Sequence, residues 1–185
     1  MQIIRPIHIS WIKRELEVDE QGKETGVVLS EVEGTNLVTN DGRILLFECL
    51  FALAASAGVV AMGVGASSTA AAVTDTHLAY ELIYNPTRQL LTNVSGAQLS
   101  GSDIVDDPVT ISTVNYYKKV VCQAQWSSAD LNNNNQFGEY ALFTTNVNPS
   151  TPTASSGKMF NHYIDPAPTI KTSLNAIQLQ VTIRM

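Results

Sequence analysis

Apolar and polar residues alternate over several short stretches of this chain, and that period marks strands. The clearest lies near the end, where Ile177, Leu179, Val181 and Ile183 are separated by polar or smaller residues. Residues 110–126 form a second β signal, with Val120, Cys122, Ala124 and Trp126 on one face and Val121, Gln123 and Gln125 on the other. Near the start, residues 3–18 and 25–33 read as two strands around the turn signal Gln21-Gly22-Lys23, a long hairpin. Shorter strands are expected at 80–84, 88–94, 139–145 and 158–164, with loops at 66–73, 95–108, 127–136 and 146–156.

Two stretches break the alternation. Asn40-Asp41-Gly42 opens a Leu/Ala-rich run to Ala55, which predicts a helix over about 42–56 with Asn40 or Asp41 as its cap. Leu46, Cys49, Leu50 and Leu53 would share its inner face. Val59 to Gly65 is continuously apolar and short, as a strand covered on both faces would be. The run from Ile44 to Gly65 is long enough to cross a bilayer. Its glycines and the lack of a following basic residue before Arg88 favour a helix and a buried strand, so no membrane segment is expected. The N-terminal residues also lack the pattern of a signal peptide.

Many short strands and one helix predict a mainly β fold: an antiparallel β-sandwich of jelly-roll or Ig-like style with one packed α-helix. The 185 residues suit one such domain, with residues 1–33 as an N-terminal hairpin or arm and 34–185 as the sandwich. A hydrophobic fraction of 44% and a charged fraction of 15% exclude a disordered chain. The formal net charge of −6 argues against a nucleic-acid partner, which needs a basic surface. Two cysteines, Cys49 and Cys122, make no disulfide framework and read as small buried hydrophobes.

Candidate chemistry is sparse. Asp130-x-Asn132-x-Asn134 starts like a calcium loop, but Asn135 and Ala141 stand where that loop needs Gly and a bidentate Glu. His8, His77 and His162 do not form a zinc-ligand spacing, although His77 and Glu81 would share a helix face. No Gly-x-Ser-x-Gly elbow accompanies His162 and Asp165, and Gly63-Val64-Gly65 is not followed by Gly-Lys-Ser. No catalytic residue, cofactor or metal is therefore expected, and the chain does not read as an enzyme.

Four segments nevertheless resemble, in the same order, segments of a known group of proteins. Val60 to Glu81 runs from a Met-Gly-x-Gly strand through small residues to Asp75-Thr76-His77-Leu78 and Glu81. Phe137-Gly138-Glu139-Tyr140-Ala141-Leu142-Phe143 follows, then Met159-Phe160-Asn161-His162 and Thr169-Ile170-Lys171-Thr172. In order and spacing these resemble structural proteins of tailed-bacteriophage virions, over roughly residues 36–185. Ala141 replaces a Gly, and His162 stands where an Arg is common. The resemblance implies a virion component of the neck or collar, the tail, or the capsid decoration. It would act through contacts with other virion proteins, as a homo-oligomer. It implies structural roles for the glycines, a turn-capping role for Asp75 and Thr76, and an ion-pair or backbone-accepting role for Glu139. The hairpin lies outside the resemblance, and its apolar face, Ile7, Ile9 and Trp11, is the expected assembly contact. A receptor- or glycan-binding module of a fibre or tail tip is the alternative, with the Asn/Ser/Thr-rich loops 127–136 and 146–156 as its contacts.

Overall fold

The computed structural model describes residues 7–35, 37–51, 58–82, 88–131, 135–144 and 157–185; for 47–51 it describes the backbone only. The strands in chain order are β1 (His8–Val18), β2 (Glu24–Thr35), β3 (Leu37–Val38), β4 (Ala61–Gly65), β5 (Gln89–Leu90), β6 (Ile104–Ile111), β7 (Val114–Trp126), β8 (Gln136–Phe143), β9 (Asn161–Ile170) and β10 (Asn175–Arg184). One helix, α1 (Asn40–Phe51), follows β3, and a short 3-10 turn at Gly101–Asp103 precedes β6. They form two five-stranded antiparallel sheets, ordered β2-β1-β10-β7-β6 and β3-β9-β8-β4-β5. The mainly β, sandwich-like expectation holds.

The alternation read from the sequence is the inward face of the first sheet. Ile177, Leu179 and Val181 of β10 stand opposite Trp126, Ala124 and Cys122 of β7, and all six are buried. The facing sheet contributes Met62, Val64, Tyr140 and Leu142 to the same core. The outward side of the first sheet is polar: Arg14 donates to Gln178 and Gln180, and Gln178 to Gln125.

The second sheet is covered on its outer side as well. All five residues of β4 are buried, as are seven of the eight in β8. Leu78, Ala141, Phe143 and Met159 make a small second core there, beneath the segment that follows β4. Double coverage explains why Val59 to Gly65 reads as a continuous apolar run.

Strands also step from one sheet to the other. β2 lies in the first sheet, and β3, two residues later, pairs with β9 in the second. On the far flank, Leu90 pairs with Ala61 while Thr92 exchanges two backbone hydrogen bonds with Gln123 of β7. Both flanks of the sandwich are thereby bridged by continuous backbone.

Several expectations change. The hairpin is no separate arm: β1 pairs with β10 from His8↔Arg184 to Glu17↔Asn175. Its tip folds back, with Ser128 donating to the Gly22 carbonyl and Gln125 to Glu24. Ile9 and Trp11 are buried in the main core, at 2% and 1% exposure, and Ile7 is partly buried against it. Those side chains hold the sandwich together and are not a surface for neighbours. The helix is capped by Thr39, whose hydroxyl accepts from Gly42 N at 3.1 Å, rather than by Asn40 or Asp41. Leu45 is its buried side chain; Leu46 packs at the core margin, and Cys49, Leu50 and Leu53 lie outside the described side chains. Residues 110–126 are not one strand. They contain the β6–β7 turn, with Ser112 and Thr113 at φ +45° and +70°. Neither is a glycine or asparagine, the usual residues for that backbone, so the turn left no mark in the sequence. β6 begins inside the expected 95–108 loop, as an edge strand whose register shift falls at Pro108.

Candidate functional site

The segment after β4 carries the candidate site across the outer side of the second sheet. Ala66 N donates to Tyr80 O and Leu82 N to Val64 O, so residues 66–82 leave β4 and return to it as a flap. Asp75 shapes the turn inside the flap by accepting from Ala72 N at 2.7 Å, the capping role expected of it. Residues 77–81 are not helical, so His77 and Glu81 share no helix face.

Beneath the flap lie Glu139 of β8 and His162 of β9. The Glu139 carboxylate accepts Tyr80 N at 2.7 Å and Ala79 N at 3.0 Å. His162 bridges two carboxylates: Nε2 meets Glu139 Oε2 at 3.0 Å and Nδ1 meets Asp75 Oδ2 at 2.7 Å. Gly65 makes room, since a side chain there would strike the Glu139 carboxylate and the Tyr80 carbonyl.

The electrostatics follow from this geometry. With a carboxylate against each ring nitrogen, the arrangement favours the doubly protonated imidazolium form of His162. Burial opposes its charge, but the hydrogen bonds to Glu139 and Asp75 outweigh that and raise its pKa. Burial likewise works against the Glu139 charge, and His162 with the Tyr80 and Ala79 amides overcomes it and lowers the pKa. Asp75 is lowered in the same way: the Ala72 amide and His162 overcome a partial burial.

An imidazolium held on both sides has no lone pair for a nucleophile. A hydrolytic triad needs a histidine with one nitrogen toward a hydroxyl. This arrangement instead clamps the flap to two strands. A shallow cleft of about 180 Å³ above it is lined by Asp75, His77, His162 and the hydroxyls of Thr69, Thr74 and Thr76. A larger cleft of about 460 Å³ lies between Val59, Val60, Leu90, Leu91 and Leu99, and its described walls carry no ionisable side chain.

Two further buried pairs complete the set. Arg88 grips Glu81 with two bonds, 2.6 and 3.0 Å, and its guanidinium lies 3.5 Å from the Phe143 ring centre. Between the sheets, Lys13 Nζ of β1 lies 2.5 Å from Asp165 Oδ2 of β9. Tyr140 OH lies 3.0 Å from the same oxygen, and Trp11, Tyr140 and Tyr163 stack beside the pair. Burial, and then the Asp165 charge, push the Tyr140 hydroxyl well above its ordinary value and Tyr163 up to about 12.

The remaining candidates are placed plainly. Asp130 accepts from Ser127 N and Oγ and closes a local turn, while Asn132 and Asn134 lie outside the described residues. Lys171 is buried and donates to the Thr172 carbonyl; burial lowers it to about 8 against the pull of Asp130. Cys122 is a buried thiol pushed up to about 12 by desolvation. Among the described residues, no group of three or more His, Cys, Asp or Glu is placed to hold a metal ion. No helix among them is long and apolar enough to cross a membrane.

The sequence singled out Gly65, Asp75 and Glu81 in one segment and Glu139 and His162 in two others, and the fold brings the three segments together. It missed the Lys13–Asp165 pair, although a lysine at an inward position of an otherwise apolar β1 face was the available signal. Comparison of the chain with protein-family models, with curated proteins and with solved structures returns no match.

Proposed function

We propose that this chain is a non-enzymatic structural component of a tailed-bacteriophage virion, working through protein–protein contacts in the neck or collar, the tail, or the capsid decoration. The observation that carries the reading is the convergence just described. Asp75, Glu139 and His162 of the virion-like motifs meet beneath the flap and bond one another, and Glu81 is paired with Arg88, which is the work of a scaffold. An assembly surface has to come from elsewhere than Ile9 and Trp11. The outer edge strand β2 offers Val27, Val28 and Leu29, each about half exposed, at a point where bulges shift the register. The opposite edge strand, β6, exposes Ile104 and Val105. Neighbouring virion proteins or further copies of this chain would cover these edges.

The test is mass spectrometry of purified particles made by the genome that encodes the chain, with light scattering of the isolated protein at two concentrations. A fixed copy number in the particles is the expected result. Val28→Asp should leave the chain folded and reduce its incorporation. Absence of the chain from purified particles would overturn the reading. Among the described residues, the exposed aromatics do not cluster for the glycan-binding alternative: Tyr80 belongs to the flap over the second sheet and Tyr117 to the first sheet.

A further inference from the structure

We propose that Lys13 and Asp165 condense to an amide, Nζ to Cγ, which ties the two sheets together covalently. This inference does not depend on the virion reading. It rests on how three groups are set around one carboxyl.

Lys13 and Asp165 come from facing sheets and are separated by 152 positions in the chain. Their side chains are 2% and 0% exposed. Nζ stands 2.5 Å from Oδ2. Cγ lies one bond behind that oxygen, so Nζ is no more than about 3.8 Å from it, near the separation of a reactive pair. The two carboxyl oxygens have different partners. Oδ1 accepts the Ala167 N–H at 2.8 Å, whereas Oδ2 faces Nζ and the Tyr140 hydroxyl. One oxygen is thus set to hold developing negative charge, and the other to leave.

The step balances without an oxidant, a metal or a cofactor. The Lys13 ammonium passes one proton to Oδ2, leaving a neutral amine against a neutral carboxyl. The amine lone pair forms the Nζ–Cγ bond, and the carbonyl electron pair moves onto Oδ1, where the Ala167 N–H holds it. A second proton passes from nitrogen to the Oδ2 hydroxyl, with the Tyr140 OH as relay. The Cγ–Oδ2 bond breaks, Oδ2 leaves as water, and the pair on Oδ1 returns to restore the carbonyl. Ammonium plus carboxylate becomes a secondary amide plus one water. The remaining N–H faces the Ala167 carbonyl, which Nζ already contacts at 2.5 Å. The product is neutral, so the desolvation penalty of a buried ion pair disappears with it.

The test is the intact mass of the natively purified full-length chain after incubation at neutral pH, followed by a tryptic map. The expected chain is lighter than its sequence by one water. Trypsin does not cut after Lys13, and a branched species joins the peptides containing residues 13 and 165. Lys13→Arg restores the full mass of its own sequence. Asp165→Asn reaches the same product as the parent by losing ammonia, which serves as the check if Lys13→Arg fails to fold. Tyr140→Phe slows the mass change by roughly 100-fold, as loss of a proton relay would. A natively purified parent chain that keeps its full sequence mass, and is cut after Lys13, overturns the proposal.

Discussion

The two sheets are built from similar residues but carry different burdens. The first has one covered face and one wet face, and its strands alternate. Its outward polar groups, such as Arg14 with Glu31, are paired near solvent. The second sheet is covered on both sides, and its outer cover is a flap whose apolar residues are mostly small alanines. Leu78 is the flap's contribution to the second core. Charges supply the rest of the attachment, through His162, Asp75 and Glu139 and through Arg88 with Glu81. The lesson is that a loop with few large apolar side chains to bury can be held by an ionic clamp, provided each charge has its partners.

The largest expected effect comes from the inter-sheet region both sheets share. Asp165→Ala strands Lys13 in the core and also removes the cross-link, and should cost at least about 3–5 kcal/mol in urea unfolding; the double replacement Lys13→Met with Asp165→Leu should recover the part owed to the stranded charge but not the part owed to the cross-link. Trp11→Ala should cost about 3–5 kcal/mol by the same measurement, and a chain lacking β1 should fail to fold. A folded, soluble chain without β1 would return the hairpin to the status of an arm.

The next effect separates the sheets. His162→Gln removes charge-assisted bonds to two carboxylates and should cost about 2 kcal/mol, with hydrogen exchange accelerated at Ala79 and Tyr80 and little changed in β1 and β10. Exchange that rises equally in both sheets would show that the flap has no separate stability. The clamp also has a defined pH window. The His162 pKa is raised above 6.5, so its contribution is complete below that value and is lost as pH rises through the folded-state value. The Glu139 and Asp75 values are depressed below 4.5 and 3.8, so their contributions are present above those values and are lost as pH falls through the folded-state ones. Flap exchange should therefore be slowest between the two limits, and His162→Gln should abolish the alkaline limb. The smallest effect belongs to the wet face: Glu31→Gln should change stability by about 0.2–1 kcal/mol, less in high salt.

The sequence made the one-sided sheet easy to read and the two-sided sheet hard. Ile177, Leu179 and Val181 announce their face because polar residues separate them. On β8, Tyr140 and Leu142 face the main core while Ala141 and Phe143 face the flap, so no period appears although the strand is regular. Gly63-Val64-Gly65 was legible as a packing strand, but what it packs against was not, since Glu139 and Glu81 arrive from distant segments. The hairpin was read correctly as a hairpin and wrongly as an appendage, because pairing of β1 with β10 spans almost the whole chain and no local pattern encodes it. Lys13 could be read as an inward lysine from its parity with Ile9 and Trp11, but its partner, 152 positions away, could not.

The pairing of His8 with Arg184 has a mechanical consequence. Strands β1 and β10 are antiparallel neighbours in the interior of one sheet, and the His8 end of one and the Arg184 end of the other lie side by side at the same end of it. Tension applied between those ends would pull across the ladder and peel it one bond pair at a time, so the load needed to start opening is small. A load transmitted along the strands from opposite ends of the sandwich would strain all the bonds of a ladder at once. The same fold is therefore compliant when drawn by its ends and stiff when stretched along its length.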